Sequence, residues 1–206
     1  MAGAREVMPV DVLFVGAGPA SLAGAWHLLG LVERHNARVD AEGKGDRVAP
    51  PEVAILEKGK ALGAHAISGA VLDPRALREL MPDFLEQGFP FESEVREDDV
   101  LFLTRSGSFR LPVTPPPLAN HGNYIVSLSR LVRWLAEKVE EKGAFVVTEF
   151  GGRELLFEGD RVAGVRGTDR GVDKHGAPRA SFQPGPDVRA KVTVLGEGPR
   201  GSLTKT

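Results

Sequence analysis

Gly16-Ala17-Gly18-Pro19-Ala20-Ser21 has the residue types and spacing to hold a pyrophosphate. The first glycine lets the backbone turn sharply, and the second lets it approach a phosphate closely. A helix opening at Pro19 aims unpaired N–H groups and the positive end of its dipole at the anion. Proline suits that first helical position, because its missing N–H would have no partner there. The third small position of the dinucleotide pattern is Ser21 where glycine is usual. It lies where helix packs on strand, so a hydroxymethyl group must be accommodated there. Downstream, Glu57 ends a second apolar run. A carboxylate at that place accepts hydrogen bonds from a ribose and repels a 2′-phosphate, which argues against NADP.

These residues need strands and helices to bring them together. Val12-Leu13-Phe14-Val15 reads as a buried strand, Leu22 to Leu29 as a helix, and Val53-Ala54-Ile55-Leu56 as a second strand. Between helix and strand, residues 33–51 read as a polar insertion, a solvated surface loop whose basic residues (Arg34, Arg38, Lys44, Arg47) alternate with acids. Asp73 caps a short helix from Pro74 to Met81. Val100–Leu103 and Ser108–Leu111 flank Gly107 as a hairpin, within an inserted hairpin region of about 83–126. Pro115-Pro116-Pro117 predicts extended chain. Leu128, Leu131, Leu135 and Val139 recur at helical spacing. Ala144–Thr148 is a third strand, Leu155–Phe157 and Val162–Val165 a second hairpin, residues 168–186 a polar loop, and Val188–Leu195 a last strand. Strands alternating with helices predict an α/β fold around an open parallel sheet, with the antiparallel hairpins as inserted layers.

Composition sets further bounds. The 206 residues carry a net charge of −2, which gives no electrostatic footprint for nucleic acid. There is no cysteine, so disulfides, thiolate catalysis and cysteine-held zinc or iron–sulfur sites are excluded within this chain. The five histidines lack metal-ligand spacing, and no metal is assigned. No apolar run is long enough to span a bilayer, and the first residues lack a hydrophobic signal region. The expected compartment is cytoplasmic. No nucleophilic triad or paired carboxylates stand out, as suits a protein whose bound cofactor does the chemistry.

Asp11 to Ala25, Glu57-Lys58 and Gly63-Ala64-His65-Ala66-Ile67-Ser68-Gly69-Ala70-Val71-Leu72-Asp73-Pro74 resemble the N-terminal part of the electron transfer flavoprotein–ubiquinone oxidoreductase family. So do Asn120–Val126, the helix with Trp134, Gly171–Ala180 and Ala190–Gly198. The resemblance implies a Rossmann-like FAD-binding fold of the glutathione-reductase type, here its N-terminal part. By resemblance, Val15, Gly16, Ala17, Gly18, Pro19, Ala20 and Ser21 form the pyrophosphate turn, with Glu57 and Lys58 at the adenosine ribose. Ser68 and Gly69 fall along the flavin side, and Gly196, Glu197 and Gly198 form a second FAD-contacting turn. Arg130 is a further contact. His65 has two readings, a flavin contact that stabilises a reduced anionic ring or an ordinary structural histidine. His121 and Tyr124 are similarly open between cofactor and packing, and the acidic Glu97-Asp98-Asp99 reads as a solvated turn.

The implied activity passes electrons from reduced electron transfer flavoprotein to ubiquinone, with FAD and, in the full-length family protein, an iron–sulfur cluster. The family's quinone-binding and cluster-holding regions lie beyond residue 206. The chain is therefore expected to be a fragment that is inactive alone, with membrane contact made through regions outside it. Ser21 and the long segment before Glu57 depart from the family pattern. Two alternatives keep the nucleotide site, a related flavin-dependent reductase or hydroxylase of the geranylgeranyl-reductase kind and an inactive nucleotide-binding fragment.

Overall fold

A computed structural model describes residues 4–66 and 69–206. In chain order the elements are β1 (Val7–Val15), α1 (Pro19–Glu42), β2 (Val53–Leu56), β3 (Ala70–Leu72), α2 (Arg75–Leu80), β4 (Phe91–Glu94), β5 (Leu101–Leu103) and β6 (Ser108–Arg110). There follow β7 (Tyr124–Val126), α3 (Leu128–Glu141), β8 (Phe145–Val147), β9 (Gly152–Glu158), β10 (Arg161–Gly167), β11 (Arg170–Val172), β12 (Pro178–Gln183) and β13 (Asp187–Leu195). The chain divides into two units, one of residues up to 65 together with 132–206, the other of residues 66–131.

The larger unit is built on a six-stranded sheet in the order β8-β2-β1-β13-β10-β9. The first four strands run parallel; β10 and β9 continue the sheet antiparallel. The central strands β1, over Leu13–Val15, and β2 are buried on both faces, which is why they read as unbroken apolar runs. Leu13 and Val15 align with Ala54 and Leu56 of β2, and together with Val165, Val188, Ala190 and Leu203 they fill one face. Phe14 points the other way, where its ring lies against Gly24 of α1. The buried positions Leu22, Ala25 and Leu29 form that helix's stripe toward the sheet.

Helix α1 runs on to Glu42, through most of the segment expected to be a loop over 33–51. No proline or glycine occurs from Leu31 to Glu42, and Gly43, at φ 61°, supplies the left-handed cap that stops it. Alternating charges imitate a loop in the sequence, but here they mark the wet side of a helix. The returning segment is fastened by Asn36, whose side chain donates to Val48 O and accepts from Val48 N–H, both at 2.8 Å. Lys142, beyond α3, pairs with Glu33 and lies 4.4 Å from the Trp26 ring.

Residues 168–186, expected as loop, contain the antiparallel pair β11–β12. Strand signals are weak there because its residues are mostly polar and exposed. The register of β10 shifts at Gly164, whose φ of 137° and backbone contact with Val188 leave no room for a side chain.

The smaller unit holds a three-stranded antiparallel sheet, β3-β7-β4, and the expected hairpin β5–β6. Tyr124 packs with Phe84, Phe89 and Phe91 in an edge-to-face cluster, so its ring serves packing. Asp73 sits one residue outside α2, accepting from Arg75 N–H at 3.1 Å, while Pro74 takes the cap position. The triproline is not wholly extended: Pro116–Leu118 form a 3-10 turn, since proline's fixed φ suits the start of a helical turn as well as extended chain. Asp98 accepts from the backbone and side-chain nitrogens of Asn120, and Asp99 pairs with Arg110, so this acidic group orders its loop. The hairpin β5–β6 is not covered: Leu103 and Val113 are each 72 % exposed, and Phe102 stacks on Phe109 at 5.1 Å in the open.

Candidate nucleotide-binding site

Three turns leave the carboxyl ends of adjacent parallel strands β2, β1 and β13, where ligands bind in open α/β sheets. After β1 comes Gly16, with φ 100°, donating to Leu56 O at 2.8 Å. After β13 comes Gly196, donating to Val15 O at 2.9 Å. A Cβ on Gly16 would stand 2.5 Å from Gly196 O, so the two turns touch backbone to backbone. By contrast, Cβ positions on Gly18 and Gly198 would meet nothing within 4 Å. Both glycines therefore face open space, as a cradle for a ligand must.

Helix α1 begins at this cradle. Gly18 takes the extended cap conformation, Pro19 the first helical position, and no side chain caps the end. Its first turn, Pro19-Ala20-Ser21-Leu22, carries no charge. Pro19 and Ala20 are exposed, Ser21 is buried. No side chain caps the positive pole of this 24-residue helix, which fits an anion. Ala17 is buried, and its N–H donates to Glu57 Oε2 at 3.3 Å.

Glu57 ends β2 as expected. Its other oxygen accepts from Gly59 N–H at 2.7 Å and lies 3.6 Å from His65 Nδ1. His65, expected near a flavin ring, is thus a neighbour of the residue expected at the ribose. Lys58 is exposed. It borders a cleft of about 570 Å³ whose wall also includes Thr148, Glu149, Thr168 and Arg170. Glu149, in the left-handed region at φ 57°, donates to Gly59 O and receives Arg170 on its carbonyl, which holds the strained backbone in place.

Glu197 lies in the second turn, and its side chain is engaged within the chain. Its carboxylate accepts from the backbone N–H groups of Ser202, Leu203 and Thr204, at 3.0, 3.2 and 3.1 Å. Burial opposes its charge, but these three donors outweigh it and hold the carboxyl below the ordinary glutamate range. The side chain pins the segment that carries Leu203 into the core. The signal for this was present in the sequence as a carboxylate five to seven residues ahead of a short helical turn.

Among the expected contacts in the smaller unit, Gly69 has φ 94° with open space at its Cβ position, and Arg130 is half exposed and paired with Glu92 at 2.6 Å. His121 gives a ring nitrogen to Arg96 O at 2.7 Å. Ser68 lies outside the described residues.

A mixed sheet of this order with a glycine turn at the β1–α1 junction is the Rossmann-type architecture of FAD-dependent enzymes. The solved structures agree on the fold: the flavin-dependent monooxygenase PieE, in complex with FAD and substrate, covers 94% of this chain and 31% of its own, at 17% identity and TM-score 0.61. A geranylgeranyl bacteriochlorophyll reductase-like protein from Thermoplasma acidophilum covers 93% and 40%, at 17% identity and TM-score 0.57. No family model matches the sequence. Among curated proteins, the mitochondrial electron transfer flavoprotein–ubiquinone oxidoreductase of Dictyostelium discoideum is 43% identical over 202 residues, 98% of this chain and 31% of that protein. Its counterpart from Bos taurus is 41% identical over 203 residues, again 98% and 31%. Over the stretch it covers, the chain belongs to the electron transfer flavoprotein–ubiquinone oxidoreductase family. It spans about a third of the length of these relatives.

Proposed function

We propose that this chain is the N-terminal, FAD-binding part of an oxidoreductase that takes electrons from reduced electron transfer flavoprotein and passes them to ubiquinone. What supports the reading most is the pair of open glycines, Gly18 and Gly198, beside the uncapped start of α1. In it, bound FAD supplies the redox chemistry, and the chain supplies binding, orientation and electrostatics. Gly16, Gly18, Pro19 and Ala20 would hold the pyrophosphate, with Gly196 and Gly198 on the adjoining turn. Glu57 would accept from the ribose, with Lys58 and His65 beside it. Gly69 is the proposed contact on the flavin side, and Arg130 a further one. The iron–sulfur cluster of the full-length reading takes no thiolate from this chain, which has no cysteine.

Titration of the purified chain with FAD, NAD and NADP, followed by flavin fluorescence and thermal shift, tests this. FAD is expected to bind in preference to both nicotinamide nucleotides. Glu57→Gln is expected to weaken FAD about tenfold, the scale of one hydrogen bond to a charged group. Absence of FAD binding, or equal affinity in Glu57→Gln, would refute the assignment.

Ubiquinone is a bilayer solute, so its reductase must work at a membrane face. Among the described residues no helix is long and apolar enough to cross a membrane. The β5–β6 hairpin instead offers Leu101, Phe102, Leu103, Phe109 and Val113, all more than half exposed, for shallow contact with the lipid. In this reading the hairpin adds to the contact expected from regions outside the chain, with the body of the protein in the cytoplasm. The chain is expected to cosediment with phosphatidylcholine–phosphatidylglycerol vesicles, and Phe102→Asp/Leu103→Asp to lose most of that binding. Undiminished sedimentation of the double variant would remove the hairpin from this role.

A further inference from the structure

The third small position of the pyrophosphate turn is filled by Ser21, and the structure shows where its extra atoms go. Ser21 is 3 % exposed, and its Oγ has no hydrogen-bond partner among the described residues. That oxygen occupies the place a side chain at residue 196 would take. A Cβ built on Gly196 stands 2.0 Å from Ser21 Oγ and 3.3 Å from Ser21 Cβ, with the next atom, Val15 O, at 3.5 Å. Gly196 is not among the positive-φ glycines. Its backbone would accept alanine, and the side chain that an added methyl would have to displace is that of Ser21.

We infer that Ser21 and Gly196 are a complementary positioning pair. The requirement for a missing side chain, ordinarily met on the helix, is met here on the turn after β13. The pair sets how closely the start of α1 approaches that turn. The consequence reaches the cradle, because Gly196 also gives its N–H to Val15 O and its carbonyl packs on Gly16. A displacement at Ser21–Gly196 therefore moves the two glycine turns apart. The nucleotide arm of this inference rests on the FAD reading above; the steric arm does not.

The test is a double-mutant cycle on the whole chain, read by thermal unfolding without ligand and by FAD affinity. Gly196→Ala is expected to lower Tm by about 5–10 °C through overpacking and to weaken FAD about tenfold or more. Ser21→Gly alone is expected to lower Tm by about 2–4 °C, the cost of a helical glycine. In Ser21→Gly/Gly196→Ala both close contacts vanish, so the double variant is expected to melt above Gly196→Ala and to regain most of the FAD affinity. Should Gly196→Ala yield no folded protein, recovery of folded chain in the double variant is the readout. Additive losses, a double variant that also fails to fold, or a Gly196→Ala protein indistinguishable from the parent would each overturn the pairing. Coupling in Tm with no FAD binding by any variant, the parent included, would uphold the pair and overturn the FAD reading.

Discussion

Gly16→Ala is expected to abolish measurable FAD binding and to destabilise the chain by about 3 kcal/mol or more. Two costs add at this position. The φ of 100° lies in a region that L side chains rarely adopt, and the new Cβ would stand 2.5 Å from Gly196 O. The carbonyl cannot yield locally, because Gly196 is held by its own hydrogen bond to Val15 O. The relief available is for the turns after β1 and β13 to separate, which opens the cradle. Gly43→Ala is the fitting control. Its φ of 61° also penalises a side chain, but nothing lies within 4 Å, so a loss of about 1–2 kcal/mol with unchanged FAD affinity is expected. Urea unfolding and FAD titration of both variants decide the matter. A Gly16→Ala protein that binds FAD like its parent would show that the two turns do not form the phosphate cradle.

Asp169→Ala should have the second largest effect, about 3 kcal/mol at neutral pH. The Asp169 carboxylate is nearly buried and receives Arg5 twice, at 2.6 and 3.2 Å, together with Arg153 and the Gly185 N–H at 2.8 Å. Arg5 also donates to Gly185 O at 2.7 Å. Removing the carboxylate leaves a mostly buried guanidinium with one carbonyl for company and unties the chain just ahead of β1 from the segment leading into β13. Hydrogen bonds from Arg5, then from Gly185, hold Asp169 far below the ordinary carboxylate range despite its burial. The sign follows from linkage. A carboxyl with a depressed folded-state pKa stabilises fully above its unfolded value, near pH 4, and that stability fades as pH falls toward the folded value. The gap between parent and Asp169→Ala in denaturant unfolding should therefore be full at pH 7 and shrink below about pH 4. A gap independent of pH would assign the loss to packing, not to charge.

Where several levels of the sequence agree, it was legible. Val12–Val15, the glycine turn and Val53–Leu56 ending at Glu57 each carry a local signal that points to one arrangement, and β1, α1 and β2 follow it. The α3 stripe and both hairpins were visible for the same reason. The second half of α1 is hidden in the sequence because charge and a following Gly–Pro segment imitate a loop, while the buried Asn36 that fastens it gives no periodic signal. Strands β11 and β12 were invisible because an exposed polar pair lacks apolar alternation. The hairpin β5–β6 was found, but its exposure was not, since apolar residues in a strand pattern read as core until the missing partner is known. The fit of Ser21 against Gly196 depends on a distance between segments far apart in the chain.

The placing of β13 has a consequence for how the protein is made. Strand β1 lies between β2 and β13, and its eight-pair ladder with β13 joins Val7 to Asp187 and Val15 to Leu195. On a ribosome adding about 5–20 residues per second, β1 and β2 emerge well before β13, and one whole flank of β1 stays unpaired for roughly 10–35 s until its partner is synthesised. During that interval the nascent chain carries an apolar strand with a free hydrogen-bonding edge, the kind of surface that recruits chaperones or pairs with a neighbouring polypeptide. The pyrophosphate cradle, half of it contributed by residues 196–198, is completed only after β13 has been made.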